Sequence, residues 1–542
     1  MEVDVQSMLP LLRERAAETP DRVVLNEIGG RTLSYGAFYQ EALLWADALE
    51  RLGVQRGEAV ATMLPTGADA FVFQVACSCL GAISVPVNSL MRGNPLSHVL
   101  NASHATTLVT RDGYFVSNRE LLSTAAGLRR VIVIDAEPAT HWSNPSPHFK
   151  VVAPGDALAD AQAVPRPDPV PASTQSLIFT SGTSGPPKPV DVSHKALTNY
   201  AAQIVSDPDH AWPHDSGYYS PWSTSHGLGF LALAIAVQRG QRLVVRDGFS
   251  IDSYWSDISR YGCHLTVAVN IAQALWNRAP LADDGDNPLH TMIMVPVIPE
   301  FRAFSDRFSV RITSLYGMTE IGPALTSTRP TTHRAAGHAN RGYVVQLVDP
   351  CSRVVDPGEV GELIVRHIDG AIASRYAHLP VATATAWRDG WFHTGDRFVE
   401  KAGELLYVDR LTDSIRHRGR NISAWQIEEE ARSHPAVAEC VCVGFKCDAS
   451  SMYGESDHDL RLFLVLTQDS AFTVEQLTDY LRPRLPPYMV PRYYDVLDEM
   501  PTSVTGRIIK AELQARPLTA DTIERVSTAR RDPGRALPAT GR

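Results

Sequence analysis

The feature that most constrains the fold of this chain is the alternation of short apolar runs with helical stretches. Val131–Ile134, Ser176–Phe179 and Leu243–Val245 are brief and almost wholly apolar, the pattern of strands covered on both faces. Between such runs lie segments like 38–53, where Ala42, Leu43, Ala46, Leu49 and Leu52 recur at helical spacing and Gly53 supplies a stop. This alternation predicts an α/β architecture with largely parallel sheets. The pattern shifts around 342–366, where Val344-Val345-Gln346-Leu347-Val348 and the turn Pro357-Gly358 predict a β-rich subdomain. After Arg410 it begins afresh, with a helix near Gln426–Ser433 and strands at 440–445 and 461–467. The reading is a large N-terminal domain of α/β subdomains plus a β-rich subdomain (1–409), a hinge (410–412), and a small mobile C-terminal α/β domain (413–518). The Arg-, Thr- and Ala-rich residues 519–542 read as a disordered or loosely attached tail, and the proline-rich residues 136–172 as an extended surface connector.

Bulk properties narrow the function. At 542 residues the chain exceeds one ordinary core. A net charge of −10 gives no general basis for binding nucleic acid or an acidic membrane, so neither is expected as a partner. No apolar run approaches roughly 18 residues, the length a membrane span needs. Met1–Leu12 is acidic and lacks the basic-then-apolar order of a secretory signal. The seven cysteines are scattered without a CxxC pair, as in proteins that keep free thiols in a reducing compartment. A cytoplasmic protein is expected.

The strongest local motif is Thr180-Ser181-Gly182-Thr183-Ser184-Gly185-Pro186-Pro187-Lys188, directly after Leu177-Ile178-Phe179. Small hydroxyl residues and glycines let a loop close around phosphates and offer N–H and O–H donors, and Lys188 adds a mobile positive charge. The loop does not fit the common G-x-x-x-x-G-K-[ST] nucleotide pattern, and a plain Ser/Gly linker is the competing reading. Further on come Tyr316-Gly317-Met318-Thr319-Glu320, Gly390-Trp391-Phe392-His393-Thr394-Gly395-Asp396, Tyr407-Val408-Asp409-Arg410-Leu411-Thr412-Asp413 and Arg416-His417-Arg418-Gly419-Arg420-Asn421.

In that order these motifs resemble the adenylate-forming (ANL) superfamily: acyl-CoA synthetases, aryl-CoA ligases and peptide-synthetase adenylation domains. The resemblance runs from about residue 10 to 515 and includes Gly81–Asn88 and Gly358–Leu363. It implies AMP or acyl-adenylate bound by Thr180, Ser181, Gly182, Thr183, Ser184, Lys188, Tyr316, Gly317, Met318, Thr319, Asp396 and Arg410. Tyr316 would lie against the adenine, Thr319 would bond the α-phosphate, and Asp396 would accept from both ribose hydroxyls. Glu320 would help hold Mg²⁺ on the phosphates, since a carboxylate beside a triphosphate needs a hard cation between them. Gly419 would line the tunnel for the pantetheine arm of CoA, with Arg418 and Arg420 drawing the CoA phosphates. A solvated basic loop is the plainer reading of that segment. Thr412 stands where the family's hinge pivot is Asp or Lys. Trp222, His226, Gly227 and Val297 are implied for the acyl pocket, with a purely structural histidine as the alternative at 226. No cationic partner for a second substrate charge is evident near Trp222, Phe230, Asn270 and Val297, so a bulky, mainly apolar carboxylic acid is expected. The chain is similar in this respect to ligases of terpenoid antibiotic pathways of the platensimycin kind.

Three positions depart from the family on the adenylating side. Arg507 replaces a lysine that bridges the substrate carboxylate and the α-phosphate. Arginine keeps the charge, but its planar fork cannot place one ammonium between the two groups. Losing such a donor costs about 3–4 kcal/mol of transition-state stabilisation, a hundredfold or more in rate. Pro189 follows Lys188 where relatives continue with glycine, which is expected to stiffen the loop. Met294-Val295-Pro296-Val297-Ile298-Pro299 fills a stretch that is glycine-rich in relatives. The positions implied for thioesterification remain. The leading expectation is therefore CoA thioester formation from an acyl-adenylate, supplied by a separate adenylating enzyme, with Arg507, Thr319 and Glu320 at the catalytic positions. CoA and the acyl-adenylate would be substrates, and ATP with Mg²⁺ would be needed only if adenylation survives. The alternatives are a complete ATP-dependent acyl-CoA synthetase, in which Arg507 or nearby Lys510 serves, and a non-catalytic protein that holds acyl-adenylate or AMP. Transfer to a carrier-protein thiol stays open.

Overall fold

The computed structural model describes the chain apart from residues 1–6, 126, 137–147, 181–185, 206–212, 214–215, 412–413, 418–419, 447–457, 468–472, 503–507 and 526–542. It divides into two compact units, one of residues 1–394 with 399–407, the other of residues 395–398 with 408–542.

The larger unit is built on two sheets. One has seven strands in the order Lys150–Val152, Arg130–Val133, Thr107–Thr110, Ala59–Met63, Ile83–Pro86, Thr174–Thr180 and Lys188–Ser193. All its pairings are parallel except the last. The centre of the other sheet is also parallel, running through Val23–Glu27, Arg242–Val245, Gly217–Ser220, Cys263–Val269, Thr291–Val295 and Arg311–Met318. From there it turns antiparallel into Gly322–Ser327 and Ala335–Ala339. Tyr343–Val348 and Val360–His367 pair antiparallel in the β-rich part.

Side-chain alternation sorts these strands into layers. Ile132, Ile178, Leu243 and Ile293 face a shared core with the helices Tyr35–Arg51, Ala68–Leu80 and Gly227–Arg239. Val131, Val133 and Leu177 face a second core, and Met292, Met294 and Ile312 a third. The helix Gly227–Arg239 is buried continuously from Gly229 to Val237, so it is apolar all round. The helix Tyr35–Arg51 begins earlier than the apolar spacing alone indicates, because Ser34 caps it by accepting from the Ala37 N–H (3.3 Å).

The smaller unit carries a hairpin, Ser414–His417 with Arg420–Ser423, and a sheet ordered Val437–Phe445, Asp459–Leu466, Tyr493–Val496 and Ile523–Glu524. The helices Ala424–Arg432 and Val474–Leu481 share a core with it. Among the described residues Arg461 is one of the largest fully buried side chains, 1% exposed. It makes a two-pronged pair with Asp495 (2.6 and 3.0 Å) and donates to the carbonyls of Arg516 (2.6 Å) and Pro517 (3.2 Å).

Two readings of the sequence are corrected. The connector 136–172 is not extended throughout: Lys150–Val152 joins the seven-stranded sheet beside Arg130–Val133, and Pro154–Leu158 is helical. The tail is attached at its start, since Ile523 and Glu524 pair with Tyr494 and Tyr493, and the Arg525 N–H donates to the Arg492 carbonyl (2.8 Å). Among the described residues no helix is long and apolar enough to cross a membrane.

Candidate functional site

In the larger unit the strand Arg311–Met318 delivers Tyr316, Gly317 and Met318 to its end, and Met318 pairs back with Gly322. Thr319, Glu320 and Ile321 therefore form the tip of a hairpin. A Cβ on Gly317 would lie 2.8 Å from the Gly322 carbonyl carbon and 3.0 Å from Pro323 Cα, so only glycine lets the strands approach there. Gly322 has φ +65°, and a side chain at that position would enter the Tyr200 ring. Two buried tyrosines hold the tip. The Tyr200 hydroxyl donates to the Glu320 carbonyl (3.0 Å) and accepts from the Ala373 N–H (2.9 Å). The Tyr343 hydroxyl donates to the Ile321 carbonyl (2.6 Å).

The Glu320 carboxylate is 7% exposed and accepts from the Tyr376 hydroxyl at 2.9 Å. Burial and the neighbouring carboxylate push the Tyr376 phenol well above its ordinary value, so it stays protonated and donating. Lys188 Nζ lies 5.0 Å from the centroid of the same ring. Thr180 sits opposite Lys188 across the strand pair. Lys188, Tyr376 and Glu320 are thus brought together. Sequence reasoning missed Tyr376, which lies 56 residues from its carboxylate partner and outside every motif singled out. It arrives because the segment after Arg375 adds to the edge strand Lys188–Ser193: Val190 bridges Tyr376, and the Ala377 N–H donates to the Pro189 carbonyl (2.8 Å). Ser181, Gly182, Thr183 and Ser184 lie outside the described residues.

Pro189 corrects an expectation. It is the second residue of a strand, opposite Phe179, and not part of the loop. That strand is a sheet edge, where proline's missing donor is tolerated.

A magnesium ion on Glu320 fits the residues present. Among the described residues no group of three or more potential ligands occurs, and the hairpin tip offers a single carboxylate. Mg²⁺ is commonly held by one or two carboxylates, with substrate phosphates and water completing the shell.

Of the residues read for an acyl pocket, Gly227 faces the hairpin tip, since a Cβ there would meet Thr319 Oγ1 at 3.5 Å. His226 precedes the helix Gly227–Arg239 in extended conformation, and its carbonyl accepts from the Phe230 N–H (2.9 Å). Its side chain reaches solvent, yet surrounding protein atoms desolvate the imidazole enough to lower its proton affinity below the ordinary value. Trp222 donates through Nε1 to the Val267 carbonyl (2.7 Å), which fixes the indole against the third core. Val297 is 4% exposed within that core. Met294 and Ile298 are buried there too, while Pro296 and Pro299 are exposed.

In the smaller unit Asp396 is 3% exposed and accepts from Arg410 Nε at 2.8 Å. The neighbouring Arg397 grips Asp409 with two bonds of 2.7 Å. The two residues read as ribose contacts thus lie on each other. Lys510 opens the helix Lys510–Ala515, and its ammonium donates to Glu428 Oε1 (3.1 Å), a carboxylate oxygen that also accepts from the Cys442 N–H (2.9 Å). Arg420 is in a strand opposite His417. Arg507, Thr412, Arg418 and Gly419 lie outside the described residues.

The sequence profile of AMP-binding enzymes matches residues 12–376, and that of the AMP-binding enzyme C-terminal domain matches 426–507. The chain is 26% identical over 492 residues to the crotonobetaine/carnitine--CoA ligase of Salmonella arizonae, covering 89% of this chain and 93% of that protein. Its fold resembles the anthranilate CoA ligase AuaEII solved with anthranoyl-AMP (TM-score 0.79, 22% identity, 94% of this chain and 96% of that one). It also resembles the O-succinylbenzoate coenzyme A synthetase MenE of Bacillus subtilis solved with AMP (TM-score 0.76, 21% identity, 93% and 98%).

Proposed function

This chain belongs to the AMP-binding enzyme family, as an adenylate-forming enzyme of the acyl-CoA ligase type, and we propose that it performs the second half of ligation. The CoA thiolate attacks the carbonyl of a bulky, mainly apolar acyl-adenylate. The C–S bond forms, the bond to the phosphate oxygen breaks, and AMP leaves. Adenylation is weak or lost, and a separate adenylating enzyme supplies the acyl-adenylate.

The observation that carries this reading is the engagement of Lys510. Arg507 occupies the position of the family's adenylating lysine, and the next lysine along the chain is already committed to Glu428 at 3.1 Å. Neither side chain offers a free ammonium for a carboxylate–phosphate bridge. Attack by a thiolate on a preformed adenylate has no use for that bridge. In this reading Thr319 and the phosphate loop hold the α-phosphate, Asp396 and Arg410 hold the ribose, and Gly419 with Arg418 and Arg420 admits CoA. Residues 410–412 serve as the hinge, with Thr412 as its pivot. Trp222, His226 and Gly227 lie on the acyl side.

A complete ATP-dependent synthetase is the second reading. The cluster of Lys188, Tyr376 and Glu320 favours it, because a lysine and a buried carboxylate suit a magnesium-bound triphosphate.

The test compares two reactions on the full chain: candidate acid with ATP and CoA, and synthetic acyl-adenylate with CoA. Acids of the platensimycin-type terpenoid class are suitable first substrates. Thioester from the adenylate alone is the expected result, and Arg507→Lys then raises product from acid and ATP. Equal rates from both routes overturn the proposal in favour of the complete synthetase. Thioester from neither overturns it in favour of a binding protein.

A further inference from the structure

The side chain of Tyr376 owes its place to a strand register. The Asp191 N–H donates to the Arg375 carbonyl (3.1 Å), Val190 bridges Tyr376, and the Ala377 N–H donates to the Pro189 carbonyl (2.8 Å). Residues 375–377 therefore run antiparallel along the edge strand Lys188–Ser193, on the side that Thr174–Thr180 does not use. Lys188 is two residues from Val190, which puts it on the same face and diagonal to Tyr376, within reach of a long side chain. This explains why its Nζ stands 5.0 Å from the ring centroid. A slip of one residue would turn the phenol to the other face. Two side chains hold the register. The Asp191 carboxylate accepts from Arg375 Nε at 2.8 Å, and the Thr383 hydroxyl accepts from the Tyr376 N–H at 3.0 Å. Trp387 stands edge-on to the ring, with centroids 5.2 Å apart.

Fixed in this way, Tyr376 acts at two points. Its hydroxyl donates to Glu320 Oε1 (2.9 Å), and its face carries Lys188. A carboxylate that receives a hard cation gains from a hydrogen bond that orients it. Loss of such an outer partner costs roughly 10–100-fold in metal affinity.

We propose that Tyr376 is a positioning residue of the nucleotide site: its hydroxyl fixes Glu320 for the magnesium ion, and its ring seats Lys188 for the phosphates. The role rests on Glu320 as the magnesium carboxylate, and it holds whether or not bound ATP is turned over.

Calorimetric titration of the full chain with ATP and Mg²⁺, with ATP and a chelator, and with AMP tests it. The wild-type chain is expected to bind ATP more tightly with Mg²⁺ than with chelator, and Glu320→Gln to abolish that gain. Tyr376→Phe keeps the ring under Lys188 and removes only the hydroxyl. It should cut the magnesium gain about tenfold and leave AMP affinity unchanged. In the Glu320→Gln chain the same substitution should have no further effect on the gain. Tyr376→Leu removes the ring as well, and should weaken binding of ATP with chelator about threefold relative to Tyr376→Phe. Equal affinity in those two variants overturns the seating of Lys188. An equal loss for AMP and for ATP in Tyr376→Phe makes the hydroxyl a purely structural support and overturns the proposal. An undiminished magnesium gain in Tyr376→Phe, where Glu320→Gln abolishes it, overturns the role of the hydroxyl alone. A gain that survives Glu320→Gln, or is absent from the wild-type chain, overturns Glu320 as the magnesium carboxylate and the role of Tyr376 with it.

Discussion

Replacing Lys510 with methionine separates the two readings of the smaller unit. Glu428 is 7% exposed, and one of its oxygens takes both the Lys510 ammonium (3.1 Å) and the Cys442 N–H (2.9 Å). Removing one member of a fully buried ion pair costs about 3–5 kcal/mol, because the other charge is left without its counter-ion. Here the lysine side chain is 30% exposed and the glutamate 9%, so water compensates in part and about 2–3 kcal/mol is the reasonable figure. Glu428→Gln in the same chain removes the orphaned charge, so the double variant recovers much of the loss. Urea unfolding followed through the smaller unit measures the stability term. Exchange of labelled pyrophosphate into ATP measures any residual adenylation. The expected outcome is a destabilised Lys510→Met chain, rescued by the second substitution, whose exchange rate per folded molecule is unchanged. Unchanged stability together with abolished exchange would refute the argument, because Lys510 would then be the adenylating lysine and not a structural anchor.

Two further outcomes follow from the larger unit. His194 is 4% exposed, and desolvation, reinforced by Arg56, lowers its folded-state value to about 4 against roughly 6.5 in the unfolded chain. The folded state therefore holds fewer protons, and stability present above about pH 6.5 is lost as the pH falls towards 4, by about 3 kcal/mol in all; denaturant midpoints across that window check it, and His194→Gln should flatten the profile. Gly317→Ala would drive its methyl into the Gly322–Pro323 backbone, an overpacking worth about 1–3 kcal/mol; calorimetric AMP titration should show weaker binding, and unaltered affinity would mean the hairpin tip yields freely.

Much of the architecture was legible because the signals were local. The segment 38–53 announces its helix through apolar spacing, and Leu243–Val245 its strand through an unbroken apolar run, since each pattern is satisfied within a few residues. Lys150–Val152 and Ile523–Glu524 were not legible. Both are too short to show a period, and each is a strand only because a longer neighbour supplies its hydrogen bonds. The hairpin tip could be read from Tyr316–Glu320, but its supports could not. Tyr200, Tyr343 and Tyr376 come from distant segments and act through single hydroxyls, which leave no pattern in the chain. Pro189 misled for the opposite reason: proline is a strong local signal, and here its meaning depended on lying at a sheet edge.

The contact between Gly322 and the Tyr200 ring has a consequence for how this protein can change over generations. The ring occupies the space a side chain at 322 would need, while its hydroxyl is tied to Glu320 and to Ala373. A larger residue at 322 is tolerable only if position 200 shrinks, and a smaller residue at 200 releases both ends of the hydroxyl bridge. Shrinking position 200 to admit a side chain at 322 would therefore undo the support of the hairpin, so both residues should be found unchanged in descendants that still hold the hairpin in place.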